Sequence, residues 1–180
     1  MQNLISLRNN FISGLIMIII GAVVLSGCSL SDISSSPTDA TRPAAEVLSM
    51  APSPALSPEE VVKIQVEALQ HNNDADQGIE ATFRFASPAN KQATGPLARF
   101  KRMLKESAYR PMLNHKLAEY APMEVSDSTA TQRVTIVQRN GQATVYLFSL
   151  SKQEGPPCPG CWMTDSVTIL PTRKQGLQDI

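Results

Sequence analysis

The hydrophobic period of this chain changes at Pro111, and that change limits the fold more than any other feature. Before it, apolar residues recur at helical spacing; after it, they alternate. Val61, Ile64, Ala68 and Leu69 fall on one face of a helix. Ser57-Pro58-Glu59-Glu60 opens that helix with a serine N-cap, a proline at the first helical position and a glutamate at N3. His71 closes it, where positive charge suits the helix dipole. A second helix is expected over 79–86, ended by Ser87-Pro88. A third runs from Thr94-Gly95-Pro96 through Leu97, Phe100, Met103 and Leu104, with Lys101, Arg102 and Lys105 on its wet side. Beyond Pro111, strands are expected over 113–120 (continuing toward Val125 past Pro122), 132–139, 142–150 and 162–170. The order implies an α+β class: three N-terminal helices packed on a curled four-stranded antiparallel sheet.

Asn140-Gly141 lies between two alternating runs and predicts a two-residue hairpin loop with both turn residues at positive φ. Such a loop pairs Arg139 with Gln142, Val137 with Thr144, Thr135 with Tyr146 and Arg133 with Phe148. Val134, Ile136, Val145 and Leu147 would then face the helices. Arg133, Thr135, Tyr146 and Phe148 would form a mixed outer face, either solvated or used in association, as in a homodimer.

The first residues read as targeting rather than fold. Residues 11–24 are an apolar run that falls short of the roughly 18 residues a spanning helix needs. Leu25-Ser26-Gly27-Cys28 follows it as a lipobox. The expectation is a signal peptide over 1–27, cut before Cys28, with diacylglycerol on the Cys28 thiol. Two acyl chains give durable attachment. Residues 28–56, broken by Pro37, Pro43, Pro52 and Pro54, read as a Ser/Pro-rich tether. The folded domain is expected over 57–171 and a polar tail over 172–180. The chain carries 16 basic and 16 acidic residues, which argues against a nucleic-acid or polybasic membrane role.

There are three cysteines. With Cys28 lipidated, Cys158 and Cys161 remain, and an exported pair can close as a disulfide. Cys158-Pro159-Gly160-Cys161 lies between two strands, without the following helix that lowers a thiol pKa in thioredoxin-type sites. A structural disulfide is the leading reading; free thiols, a redox-active pair and a metal half-site stay open. Zinc would need two more ligands, and His71 and His115 stand isolated in sequence. No metal and no cofactor is expected.

The element order matches the cone-shaped fold of nuclear-transport-factor-2-like proteins. Three segments, 83–91 (FRFASPANK), 109–115 (YRPMLNH) and 161–165 (CWMTD), resemble the family called domain of unknown function 4864. The resemblance covers about 58–170. The family is familiar from cyanobacteria and other photosynthetic lineages; the lipobox, read from this chain and not from the family, implies a lipoprotein anchored on the periplasmic, envelope or thylakoid-lumen side of a membrane. The resemblance brings no activity with it.

Tyr109, Arg110, Asn114 and His115 cluster where the third helix gives way to the sheet. With Trp162 and Asp165 from the last strand they form the candidate pocket. No catalytic residue is assigned, because a lone histidine without a defined partner rarely marks catalysis. The bland reading has Arg110 and Asn114 satisfying backbone groups at the chain reversal. Phe83, Phe85 and Trp162 are expected in the core. The function expected is a non-enzymatic interaction or small-ligand-binding module. The alternatives are a small hydrolase or isomerase using the cone cavity, and an exported thiol-redox protein.

Overall fold

The computed structural model describes residues 42–171. Cys28 with its lipobox, the start of the tether and the tail lie outside the described residues. Among the described residues no helix is long and apolar enough to cross a membrane.

Five helices and five strands follow one another as α1 (Ala44–Ser49), α2 (Pro58–Gln70), α3 (Gln77–Arg84), α4 (Pro88–Thr94), α5 (Leu97–Lys105), β1 (Leu117–Tyr120), β2 (Glu124–Ser126), β3 (Thr129–Val137), β4 (Ala143–Lys152) and β5 (Trp162–Leu170). The strands form one antiparallel sheet in the order β1-β3-β4-β5, with β2 also paired to β3. The class is α+β as expected, with more elements than the sequence suggests.

The α2 start is as the residues predict. Ser57 Oγ accepts from the Glu60 N–H, and Glu60 Oε2 accepts from the Ser57 N–H at 2.8 Å. Ser87-Pro88 repeats that grammar. Ser87 Oγ accepts from the Asn90 N–H and Pro88 takes the first helical position, so a pair read as a stop also starts α4. Helix α3 packs close on α2 because Gly78 has no side chain. A Cβ there would sit 2.1 Å from the Ala68 carbonyl oxygen.

The packed structure reaches back to Arg42, into the stretch read as tether. Val47 of α1 is fully buried in the core. The Arg84 guanidinium donates to the carbonyls of Leu48 and Met50. These contacts supply the order that the sequence lacks in caps.

Two strand expectations are corrected. Residues 110–112 form a 3-10 turn, so β1 begins at Leu117 rather than near 113. The β3–β4 register is also off by one: Val137 pairs with Ala143, Val134 with Tyr146 and Gln132 with Phe148. Gln138 donates to the Gln142 carbonyl, leaving Arg139, Asn140 and Gly141 as a three-residue loop. Only Gly141 has positive φ, at 83°. This is the turn-plus-bulge loop, which also wants a glycine at its last position.

A one-residue slip exchanges the faces of one strand relative to the other. Tyr146 and Phe148 therefore join Val134 and Ile136 in the core, and Arg133 stands exposed on the opposite face with Val145 and Leu147 partly covered. The association face composed of Arg133, Tyr146 and Phe148 does not exist as a surface. The core itself lies between that inner sheet face and helices α1, α2, α3 and α5, with Phe85 fully buried and Phe83 packed on Phe100.

Candidate functional site

A cleft of about 250 Å³ opens between the helical layer and β5. Leu69, Ala86, Phe100, Met103, Leu104, Met112, Phe148 and Val167 give it apolar walls. Helix α5 presents Phe100, Met103 and Leu104 inward because its basic residues face out. Lys101 pairs with Glu80 at 2.6 Å and Lys105 with Asp76 at 2.9 Å.

Most polar groups of the cleft already have partners. Gln65, buried in the middle of α2, donates from Nε2 to the Thr82 carbonyl at 3.1 Å and accepts from Thr164 Oγ1 at 2.6 Å. Thr82 Oγ1 returns a bond to the Gln65 carbonyl. Asn90 Nδ2 donates to the Thr164 carbonyl, and Thr94 Oγ1 donates to the Asn90 carbonyl. Tyr109 donates its hydroxyl to the Val167 carbonyl at 3.1 Å and stacks on Tyr146. Tyr146 donates to the Ala108 carbonyl at 2.9 Å, and burial pushes its phenol well above the ordinary range.

Ser166 at the exposed rim and Asp165 are the exceptions, and only Asp165 carries charge. The β4–β5 register shifts between Ser149 and Leu150: Ser149 pairs with Ser166, but Leu150 pairs with Thr164. Asp165 is thus the extra residue of a β-bulge, a device that re-aims a side chain. It lines the cleft. Its carboxylate makes no hydrogen bond or ion pair among the described residues. Just before it, the Thr164 N–H donates to the Phe85 carbonyl and the Thr164 carbonyl accepts from the Ser87 N–H. Thr164 thereby ties the end of α3 to β5 through a parallel bridge with Ala86.

The six candidate pocket residues separate. Tyr109 and Asp165 come together in the cleft. Arg110, Asn114 and His115 line a different groove beside the β3–β4 loop. Trp162 belongs to the core. Asn114 does satisfy the chain reversal. It holds φ at 52°, its N–H donates to the Leu69 carbonyl, and its amide donates to the carbonyls of Gln70 and Asn72. His115 is 3% exposed, precedes β1 and bonds the Met112 carbonyl through Nδ1 at 2.8 Å. Sequence reasoning missed Gln65, Asn90 and Thr164. A glutamine on the apolar face of α2 was the available signal, since a buried amide must find partners.

Cys158 and Cys161 lie at disulfide distance, with Cα atoms 5.5 Å apart. Their loop packs against the α1–α2 connection: Cys158 Sγ is 3.8 Å from the Pro52 carbonyl oxygen, and a Cβ on Gly160 would touch Pro54. The described residues contain no group of three or more His, Cys, Asp or Glu able to hold a metal ion.

The sequence model of a family described as Domain of unknown function (DUF4864) matches residues 55–177. No curated protein matches the chain, and no solved structure does.

Proposed function

Because the chain belongs to that family, whose description names no activity, we propose from the cleft alone that it is a small-ligand-binding module. The ligand has a compact apolar body and one cationic or hydrogen-bond-donating group. One observation carries this reading: in an apolar cleft whose other covered polar groups are paired, with only the exposed Ser166 hydroxyl also free, the bulged Asp165 carboxylate is left without a partner among the described residues. An unpaired acceptor beside apolar walls favours a donor attached to a hydrocarbon. The size of the cleft suits a ligand of one ring or a short chain.

The module is read as non-enzymatic. His115, the nearest thing to a general base in the sequence, lines another groove, and the Tyr109 hydroxyl is engaged by backbone. The bulge in β5 and the helices over one sheet face support reading the fold as a cone of the nuclear-transport-factor-2-like type. The lipobox at Leu25–Cys28 supports a lipid anchor, which would hold the module beside a membrane. Cys28→Ala should release it to the soluble fraction; retention at the processed size would remove the anchor from the proposal.

The cleft is tested with hexylamine, hexanol and hexanoate, followed by amide NMR shifts. Hexylamine should bind best and hexanoate worst. Asp165→Asn should erase that ranking, and Ala93→Trp, placed at the exposed rim, should block all three. Saturable binding of none of them, or a ranking indifferent to Asp165→Asn, would refute the reading.

A further inference from the structure

Two grooves meet beside the β3–β4 loop, and they share His115 and Arg139. One is lined by Arg110, Leu113, Asn114, His115, Gln138, Arg139 and Asn140; the other by Gln70, His71, His115, Lys116 and Arg139. The fold builds this convergence. Leu117 pairs with Val137, so the residues just before β1 lie beside those just after β3. The 3-10 turn adds Arg110, and the C-cap of α2 adds His71.

Three permanent cations therefore share one surface, and among the described residues no carboxylate lines either groove. Glu67, one turn before His71 on α2, lines neither. In a chain of zero formal net charge, such a cluster is a local field rather than a global one. The floor adds a second observation. Nε2 of His115 and Nε2 of His71 are both buried and without a hydrogen-bond partner. Nδ1 of His115 faces a carbonyl, which can only accept, so Nδ1 carries the proton and Nε2 is a bare lone pair in the neutral ring. A bare lone pair accepts and does not donate, so it meets an oxyanion favourably once the ring has taken up a proton.

We propose that this groove binds a phosphate-type oxyanion, with Arg110, Lys116 and Arg139 supplying charge and the two imidazoles forming its floor. Arginine is suited to the planar, two-point recognition of such oxygens. Lys116 and Arg139 are exposed, and both line the groove that His71 and His115 share. A proton taken up by His115 places a positive charge in the floor beneath the anion. In the empty groove that proton is disfavoured, first by burial and then by repulsion from His71, although the Met112 carbonyl favours it. An anion would oppose both penalties. Divalent cations fit poorly here, since the three fixed charges repel them and only two imidazoles are present. The same oxyanion chemistry occurs in free phosphate and in a phospholipid headgroup.

The chain has two histidines, and both line this groove. Histidine ring signals of the full chain in a non-ionic detergent therefore report on it alone. Inorganic phosphate is titrated at one fixed pH near neutrality, and in a parallel series the micelles are doped with phosphatidylglycerol. We expect both ring signals to move saturably. In Lys116→Glu/Arg139→Glu the affinity should fall by about tenfold or more, the scale of losing charge-assisted contacts. Arg133→Glu, on the outer sheet face, should leave it unchanged. A response to phosphate assigns a free oxyanion; a response to the doped micelles alone assigns the lipid headgroup. No response in either series, or an equal response in the Lys116→Glu/Arg139→Glu protein, overturns the proposal.

Discussion

The cleft and the cationic groove are opposite solutions to the problem of a polar group near the core. In the cleft, most polar side chains are bonded to one another or to backbone, so the hollow carries no free charge except at Asp165. In the groove, charges crowd together and two ring nitrogens go without partners. The contrast follows from where each is built. Cleft residues come from the middles of α2, α5 and β5, where the helical layer covers them. Groove residues come from element ends, where long basic side chains can remain in water. Stability therefore resides in the cleft walls, while the groove costs little to alter.

That contrast yields a graded set of outcomes. Phe148→Ala, removing a cleft wall that is also core, should lower unfolding free energy in urea by about 3–5 kcal/mol. A loss under 1 kcal/mol, about what a surface change costs, would mean the cleft collapses freely. Thr164→Val keeps the shape but strands the side-chain Oε1 of Gln65, and should cost about 1–3 kcal/mol.

The pH response should divide the two regions. His115 has its folded pKa held below the ordinary 6.5, chiefly by burial. The unfolded chain then binds the proton first, so stability is level above 6.5 and falls as pH drops below it. Tyr146, beside the cleft, has its folded pKa raised from 10.0, chiefly by burial. Its contribution is present below 10 and is lost as pH rises above it. His115→Gln should flatten the acid limb and Tyr146→Phe the alkaline one, as read from urea midpoints across pH. An acid limb unchanged in His115→Gln would assign it to other groups. The smallest effect belongs to Arg139→Ala, expected within about 0.5 kcal/mol of the parent. A larger loss would make the groove structural.

How much of this was readable in the residues depends on the range of the interaction. The α2 cap was, because Ser57, Pro58 and Glu60 act within one turn. The helix-to-strand change at Pro111 was, because period is local. The hairpin was located but its register was misread. Asn-Gly suits a two-residue loop, yet a single glycine at positive φ also serves a three-residue loop that takes in Arg139. That one residue decided whether Tyr146 and Phe148 were surface or core. The candidate pocket divided for a related reason: Tyr109 and Asp165 meet only through the β5 bulge, and no periodicity announces a bulge. His71 and His115 looked isolated because they come near each other only where the end of α2 meets the chain before β1, with Gln70 donating to the His115 and Lys116 carbonyls. Cys158 and Cys161 needed only their own loop, and they do lie at bonding distance.

Thr164 has a consequence for how the protein is made. The amide of Gln65 is fixed in the core by a hydroxyl that lies 99 residues further along the chain. The end of α3 likewise waits for the same residue to complete its backbone bonds. A ribosome delivers α1 through α5 first and β5 last, so the helical layer emerges with its central polar group unanswered. The domain cannot close until nearly the whole chain has been synthesised. Completion of the fold is thereby postponed until β5 has left the ribosome.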